Sequence, residues 1–228
     1  MAQQLRLVLF GPPGAGKGSQ AQLLTEQLQV PHISSGDLFR RRLEERTVLG
    51  LRAAEFMNQG LLVPDEVTID IILEKVLSIA AKNGFVLDGF PRNPNQAEAL
   101  EEALARRSRG LDNVVHLDVP ESELVRRLGE RFICRQCQSP HNIHLSPDER
   151  GSEGTSGEKG PRCRQCGGEL YQRTDDNPEA VRRRIVVYRN ETLPVLDFYR
   201  ERGLLLAVPA CGSIECVGRR VLAALGQV

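Results

Sequence analysis

The chain has 228 residues, 40% of them hydrophobic and 26% charged, which suits one compact domain carrying an insertion better than two independent domains. Its 30 basic and 30 acidic residues give a formal net charge of zero, which argues against a nucleic-acid binder relying on a general basic field. No stretch approaches the roughly 18 apolar residues of a membrane span. The run Leu5 to Phe10 reads as a strand and not as a charged leader before a long apolar block, so a cytoplasmic protein is expected.

Leu7 to Phe10 forms a first strand pattern that runs straight into a glycine-rich turn, and a helical pattern follows from Lys17 to Leu28. His32-Ile33-Ser34 has the pattern of a short strand end, with helical stretches at Asp37 to Arg46 and Leu49 to Asn58. Pro64 opens another helix reaching Ala80, because proline is tolerated in a first turn and the apolar residues behind it recur at helical spacing. Phe85-Val86-Leu87, closed by Asp88-Gly89, and Val114 to Val119 are short apolar runs of the buried-strand kind. A helix opens at Pro120. A long one starts at Asn177-Pro178-Glu179 and should kink or break at Pro194. Leu204 to Val208 supplies a last strand before a terminal helix. Strand and helix patterns in alternation predict an α/β fold, a parallel sheet with helices on both faces.

The rhythm fails from Cys134 to about Gln172, where no helical period exists and Gly151, Gly154, Gly157 and Gly160 share one polar stretch. A structureless segment of that length needs a staple or a functional reason. Cys134-x2-Cys137 and Cys163-x2-Cys166, with 25 residues between the pairs, supply a staple. Four thiolates suit a closed tetrahedral zinc site; disulfides or four free thiols are the other states open to them. Cys211 and Cys216 lack that spacing and read as small buried hydrophobes.

Gly11-Pro12-Pro13-Gly14-Ala15-Gly16-Lys17-Gly18-Ser19 follows a strand and opens a helix. In that context glycines let backbone N–H groups converge on phosphate oxygens, the helix N-terminus adds partial positive charge, and Lys17 adds a full one. The general motif places a magnesium-binding Ser or Thr directly after the lysine. Gly18 stands there instead, so Asp37 and Asp88 become candidates for holding Mg²⁺ through its waters.

The stretch Gly-x-Pro-Gly-x-Gly-Lys-Gly-Ser from Gly11 resembles the opening of the adenylate kinase family, within the nucleoside monophosphate kinases. Ser34-Ser35-Gly36-Asp37, Gly60-Leu61-Leu62-Val63, Asp88-Gly89-Phe90-Pro91-Arg92, Gln96 and Asp175-Asp176 follow in family order across nearly the whole chain. The resemblance implies a P-loop NTPase-type core (residues 1–33, 64–130 and 174–228), a helical AMP-binding insertion (34–63) and a zinc-stapled lid (131–173). It implies reversible transfer of the terminal phosphoryl group of Mg-ATP to AMP, giving two ADP. Such a transfer needs positioning and charge stabilisation and no base, since the attacking phosphate oxygen is already anionic. Arginines, with a fork that binds phosphate bidentately, are therefore the residues to seek.

By the same resemblance, Lys17, Arg92, Arg131, Arg173 and Arg184 form the catalytic set. ATP falls to Gly14, Ala15, Gly16, Lys17, Gly18 and Ser19, with Arg127, Arg131, Pro140, His141 and Gly212. AMP falls to Ser35, Arg40, Leu61, Leu62, Val63, Gly89, Phe90, Pro91 and Arg92, with Arg173 and Arg184 closing over the phosphates. Gln96 offers a donor and an acceptor to an adenine edge. Structural zinc falls to Cys134, Cys137, Cys163 and Cys166, beside which His141 and His144 are lid surface or nucleotide contacts. The wide gap between the cysteine pairs places an inserted loop at about Pro147 to Gly160. A monomer is expected, with nucleotides as its partners and neither nucleic acid nor membrane.

Two other readings stay open. The same fold serves GTP:AMP and pyrimidine-monophosphate kinases, and Val208-Pro209-Ala210-Cys211-Gly212 diverges from the Asp-Gly form with which the family contacts the donor base. A zinc-ribbon nucleic-acid module with a non-catalytic P-loop would explain Arg135, Arg162 and Arg164. It leaves Arg40, Arg92, Arg131, Arg173 and Arg184 without a purpose.

Overall fold

The computed structural model describes residues 5–80, 84–137, 139–142 and 161–227. Strand β1 (Arg6–Phe10) is apolar toward both sides, and both sides are covered. Leu7 and Leu9 enter one hydrophobic cluster with Leu24 and Val217, while Val8 and Phe10 enter another with Ile72, Leu100 and Tyr199. A strand buried on two faces must read as a continuous apolar run, as parallel strands do. β1 lies at the centre of a five-stranded sheet, flanked by β2 (His32–Ser34) and β3 (Phe85–Asp88) on one side. On the other side lie β4 (Asn113–Asp118) and the last strand of the chain, β8 (Leu205–Pro209), and every pairing is parallel.

Helix α1 (Lys17–Leu28) covers the first face together with the terminal helix, α9 (Ile214–Ala224). Between β2 and β3 the chain forms α2 (Ser35–Glu44), α3 (Val48–Asn58) and α4 (Asp65–Ala80). The second face is covered by α4, by α5 (Pro94–Ala105) and by α8 (Leu193–Glu201). Helix α5 was not anticipated, although its cues are present. Asn93 caps it by accepting from the Gln96 N–H at 2.9 Å, and Pro94 occupies the first turn. After β4, α6 (Glu121–Gly129) leads out of the core, and α7 (Pro178–Val187) returns to it. The expected break at Pro194 takes the form of a π-type turn, Tyr188–Thr192, through which α7 passes into α8. Proline lacks the N–H that a regular helix would need there, and the wide turn absorbs the loss.

The segment without helical period is not structureless among the described residues. β5 (Arg131–Cys134) pairs antiparallel with β6 (Pro140–Asn142) and β7 (Leu170–Tyr171) in a separate sheet. Strands of two to four residues are too short to show alternation. Cys134, Cys163 and Leu170, with Phe132 against them, make the small core beneath this sheet. His144 and the expected loop from Pro147 to Gly160 lie outside the described residues.

One expectation is corrected. Cys211 is exposed and Cys216 only half-buried, because the turn after β8 and the first turn of α9 lie at the sheet's rim and not beneath it. Among the described residues, no helix is long and apolar enough to cross a membrane. The chain leaves β1 toward β2 and β4 toward β8, so a crevice opens at the carboxyl ends of β1 and β4, where ligands bind in open α/β sheets.

Candidate active site

The crevice is a cleft of about 920 Å³. On its floor the loop after β1 turns into α1 through Gly16, whose φ of 93° is left-handed and favours glycine. No side chain caps this helix, so its first-turn N–H groups remain available to an anion. Lys17 folds back over the loop, donating to the carbonyls of Gly11 (2.8 Å) and Pro12 (3.1 Å). Desolvation brings its pKa from 10.5 down to about 8; Asp88 opposes that shift, and Arg92, Arg184 and Arg131 add to it. A polyanion would relieve this crowding of like charge.

Across the cleft, Arg92 Nε donates to the Gly89 carbonyl at 2.8 Å, and Ser35 Oγ donates to the same oxygen at 2.7 Å. Gly89 has a φ of 79°, and a Cβ there would stand 2.5 Å from Ser35 Oγ and 3.1 Å from Arg92 Nη2. Only glycine lets the start of α2 and Arg92 meet here. Desolvation is also the main cause that lowers the Arg92 pKa. Arg40 is held by Asp37, three residues earlier on α2. Leu61, Leu62, Val63, Gly89, Pro91 and Gln96 line the same wall. Phe90 turns away into the core, where it is fully buried.

The start of β5 in the small sheet is tied down by Asp176, whose side chain is 0% exposed. It accepts from Arg131 Nε at 2.8 Å, from Arg131 Nη2, and from Arg184 Nη1 at 3.2 Å. Arg184 also donates to the Asp175 carboxylate at 3.1 Å. Arg173 Nε is buried with no hydrogen-bond partner among the described residues. Arg127 is anchored to Glu123 (2.8 Å) and to the Ala210 carbonyl (3.1 Å). Pro140, His141, Gly212 and the loop from Gly14 to Ser19 complete the lining. The lining holds ten Lys and Arg side chains against four Asp and Glu. A chain of zero net charge has thus concentrated positive charge in one cleft. Asp88 is one of the four acids; its Oδ2 lies 3.9 Å from where a Gly18 Cβ would be, so it faces the phosphate loop directly.

The four Sγ atoms of Cys134, Cys137, Cys163 and Cys166 lie within 4.8 Å of one another. Cys134 and Cys166 are 3.4 Å apart, and Cys137 and Cys163 are 3.5 Å apart. Disulfides require about 2.0 Å, whereas tetrahedral zinc with bonds near 2.3 Å sets sulfur–sulfur edges of roughly 3.8 Å. The Gln136 and Gln165 N–H groups point at the Cys134 and Cys163 sulfurs, both at 3.4 Å, as suits thiolates. The set therefore fits a metal. His141 Nε2 stands 3.2 Å from Cys163 Sγ and 3.1 Å from Ser139 Oγ, so this ring flanks the sulfur cluster as well as the cleft.

The family model for adenylate kinase matches residues 9–204. Proteins named adenylate kinase are similar along nearly their full lengths. One from Streptomyces avermitilis is 49% identical over 221 residues, 97% of each chain. Another, from Clostridioides difficile, is 44% identical over 98% of this chain and 99% of its own.

The chain belongs to the adenylate kinase family.

The family's reaction, phosphoryl transfer between ATP and AMP, makes sense of a cleft that pools cations. Adenylate kinase motifs also direct attention away from residues that carry no motif of their own. Asp65 binds the Gln96 amide at 2.6 Å, yet in sequence it is only an acid in a helix's first turn. Asp176 was visible as half of an Asp-Asp pair, but nothing local reveals that it joins Arg131 to Arg184. Glu123, which fixes Arg127, is hidden among the charges of the amphipathic helix α6. No sequence cue separates Asp65 and Glu123 from solvated carboxylates, and the Asp175-Asp176 mark does not say which of the two is buried.

Proposed function

We propose that Lys17, Arg92, Arg131, Arg173 and Arg184 carry the family's reaction in this chain, moving the terminal phosphoryl group of Mg-ATP to AMP. The observation that carries this reading is the convergence of these five side chains on one cleft. In this reading the ATP phosphates rest on the loop from Gly14 to Ser19, with Arg127 and Arg131 beside them and Pro140, His141 and Gly212 toward the base. AMP lies against Ser35, Arg40, the backbone from Leu61 to Val63, the Gly89–Arg92 turn and Gln96. Mg²⁺, held through water by Asp88 and Asp37, supplies charge neutralisation between the phosphates when bound. Asp88 has the better placement, because Asp37 is exposed and already paired with Arg40. Zinc on the four cysteines is structural, since four sulfurs leave no open position for water or substrate.

Residues 34–63 and 131–173 act as two flaps on the remaining core. They admit two polyanions and then exclude water, which would otherwise consume ATP. The corresponding whole is a cytoplasmic monomer working on free nucleotides, with its positive charge sunk in a cleft and not spread as a face for nucleic acid. Lys17→Met and Arg92→Ala should each lower turnover by at least about a hundredfold, the scale of losing one charge-stabilising donor. Near wild-type turnover in either folded variant refutes the role of that residue. Steady-state comparison of ATP, GTP and CTP on the same preparation decides the donor.

A further inference from the structure

The amide of Gln96 is gripped by two partners of opposite polarity. Its Oε1 accepts from the backbone N–H of Arg92 at 2.8 Å, and its Nε2 donates to Asp65 Oδ1 at 2.6 Å. The residue is 1% exposed and lines the cleft beside Ser35, Leu61 and Val63. Asp65, in the first turn of α4, collects three amides on one carboxylate. Asn93 reaches both oxygens (2.9 and 3.1 Å), Asn95 reaches Oδ2 (2.8 Å), and Gln96 reaches Oδ1. Burial works to raise the Asp65 pKa, but the bonds from Asn95, Asn93 and Gln96 outweigh it and hold the carboxyl below its ordinary value. Asp65 is therefore ionised at neutral pH and can only accept.

The chemistry of the two partners decides which way the amide points. A backbone N–H can only donate and a carboxylate can only accept. A flipped Gln96 would set oxygen against oxygen on one side and N–H against N–H on the other. Each end of a primary amide retains one further hydrogen-bonding valence, a second N–H and a second lone pair. A 6-aminopurine offers an acceptor at N1 and a donor at the 6-amino group, and meets the amide in one orientation. A 6-oxopurine offers a donor at N1 and an acceptor at O6, and needs the reverse.

Building on the assignment of Gln96 to the AMP base, we propose that Asp65 is a specificity-determining positioning residue: by locking the Gln96 amide it selects 6-aminopurine over 6-oxopurine monophosphates. Asp65 does not line the cleft and acts only through Gln96.

The test uses the full chain with Mg-ATP and compares AMP with inosine monophosphate. Asp65→Asn keeps the shape but supplies an amide that can face Gln96 with either polarity. The ratio of kcat/KM for AMP to that for inosine monophosphate should fall by about tenfold, the worth of one buried hydrogen bond made or mismatched. The change should lie in KM for the monophosphate, with KM for ATP unmoved. Asn95→Ala removes another Asp65 partner without touching Gln96 and should keep the wild-type ratio. A merely structural role, tying α4 to α5, would move both variants alike and overturn the proposal. So would a ratio in Asp65→Asn within about twofold of wild type, too small a difference in binding free energy to count as selection. Asp65→Ala, read the same way, replaces Asp65→Asn if the latter does not fold. Gln96→Ala separates the two layers. If it leaves the ratio unchanged, the base contact lies elsewhere and the underlying assignment fails. If it lowers the ratio while Asp65→Asn does not, only the lock fails.

Discussion

Replacing Asp176 by alanine should cost the protein about 3 kcal/mol of stability, toward the low end of what is lost when one member of a buried ion pair is removed. The carboxylate is 0% exposed and accepts three hydrogen bonds from the guanidinium groups of Arg131 and Arg184. Charge-assisted bonds are worth roughly 1.5–3 kcal/mol each, but a straight sum overshoots. Two of the three share one guanidinium, and the cost of burying the carboxylate is recovered when it is deleted. The charges left behind are also not wholly stranded. Arg131 and Arg184 are each 19% exposed, so water reaches both, and Arg184 keeps its bond to Asp175. For a chain of this size 1 kcal/mol moves Tm by about 2–4 °C, so Asp176→Ala should melt about 6–12 °C below wild type. Asp176→Asn, which keeps the shape and one acceptor, should lose about half as much. Calorimetry at neutral pH on the nucleotide-free protein reads both. Since Arg131 and Arg184 lose their common anchor, kcat should fall as well, which a coupled ADP assay reads at a temperature where the variant is folded. A Tm within about 2 °C of wild type for Asp176→Ala would place the variant among ordinary surface changes and refute this account of the buried Asp176 cluster.

Two further outcomes follow from the charge and metal chemistry. Lys17 loses its proton near pH 8 in the folded chain and near 10.5 otherwise, so between those values the unfolded chain holds the extra proton and the group's contribution to ligand-free stability rises with pH. Bound phosphate favours the charged form, so calorimetric affinity for Mg-ATP should weaken above about pH 8 in wild type and show no such step in Lys17→Met; a flat wild-type profile refutes the assignment. Metal analysis should find about one zinc per chain, as one closed site requires. Chelation, or Cys163→Ser, should lower Tm yet leave Mg²⁺-dependent turnover at low temperature, and complete loss of turnover with the lid still folded would show that the metal is catalytic.

Local chemistry was the legible part of this protein. The helix expected over Lys17 to Leu28 runs over those residues, because a glycine turn before it and an apolar stripe within it are both properties of neighbouring positions. The short strand His32–Ser34 and the opening of α7 at Asn177-Pro178 were readable for the same reason. α5 escaped although Asn93 and Pro94 announce it, since the same residues also read as a turn. The small sheet escaped because its strands are shorter than any period that could reveal them. Cys211 and Cys216 were misplaced because an apolar neighbourhood in sequence does not say which side of a rim the chain turns toward.

By itself the sequence determined the phosphate loop, the cysteine spacing and the stock of arginines, each a matter of residue type at short range. Tertiary structure alone decided how those arginines and amides are held. Asp176 lies 45 residues from Arg131 and Asp65 lies 31 from Gln96, and a carboxylate orients a partner only once folding has brought the two within about 3 Å with water removed. Nothing in a residue's own neighbourhood encodes that approach; it is set by how α4 packs on α5 and α6 on α7.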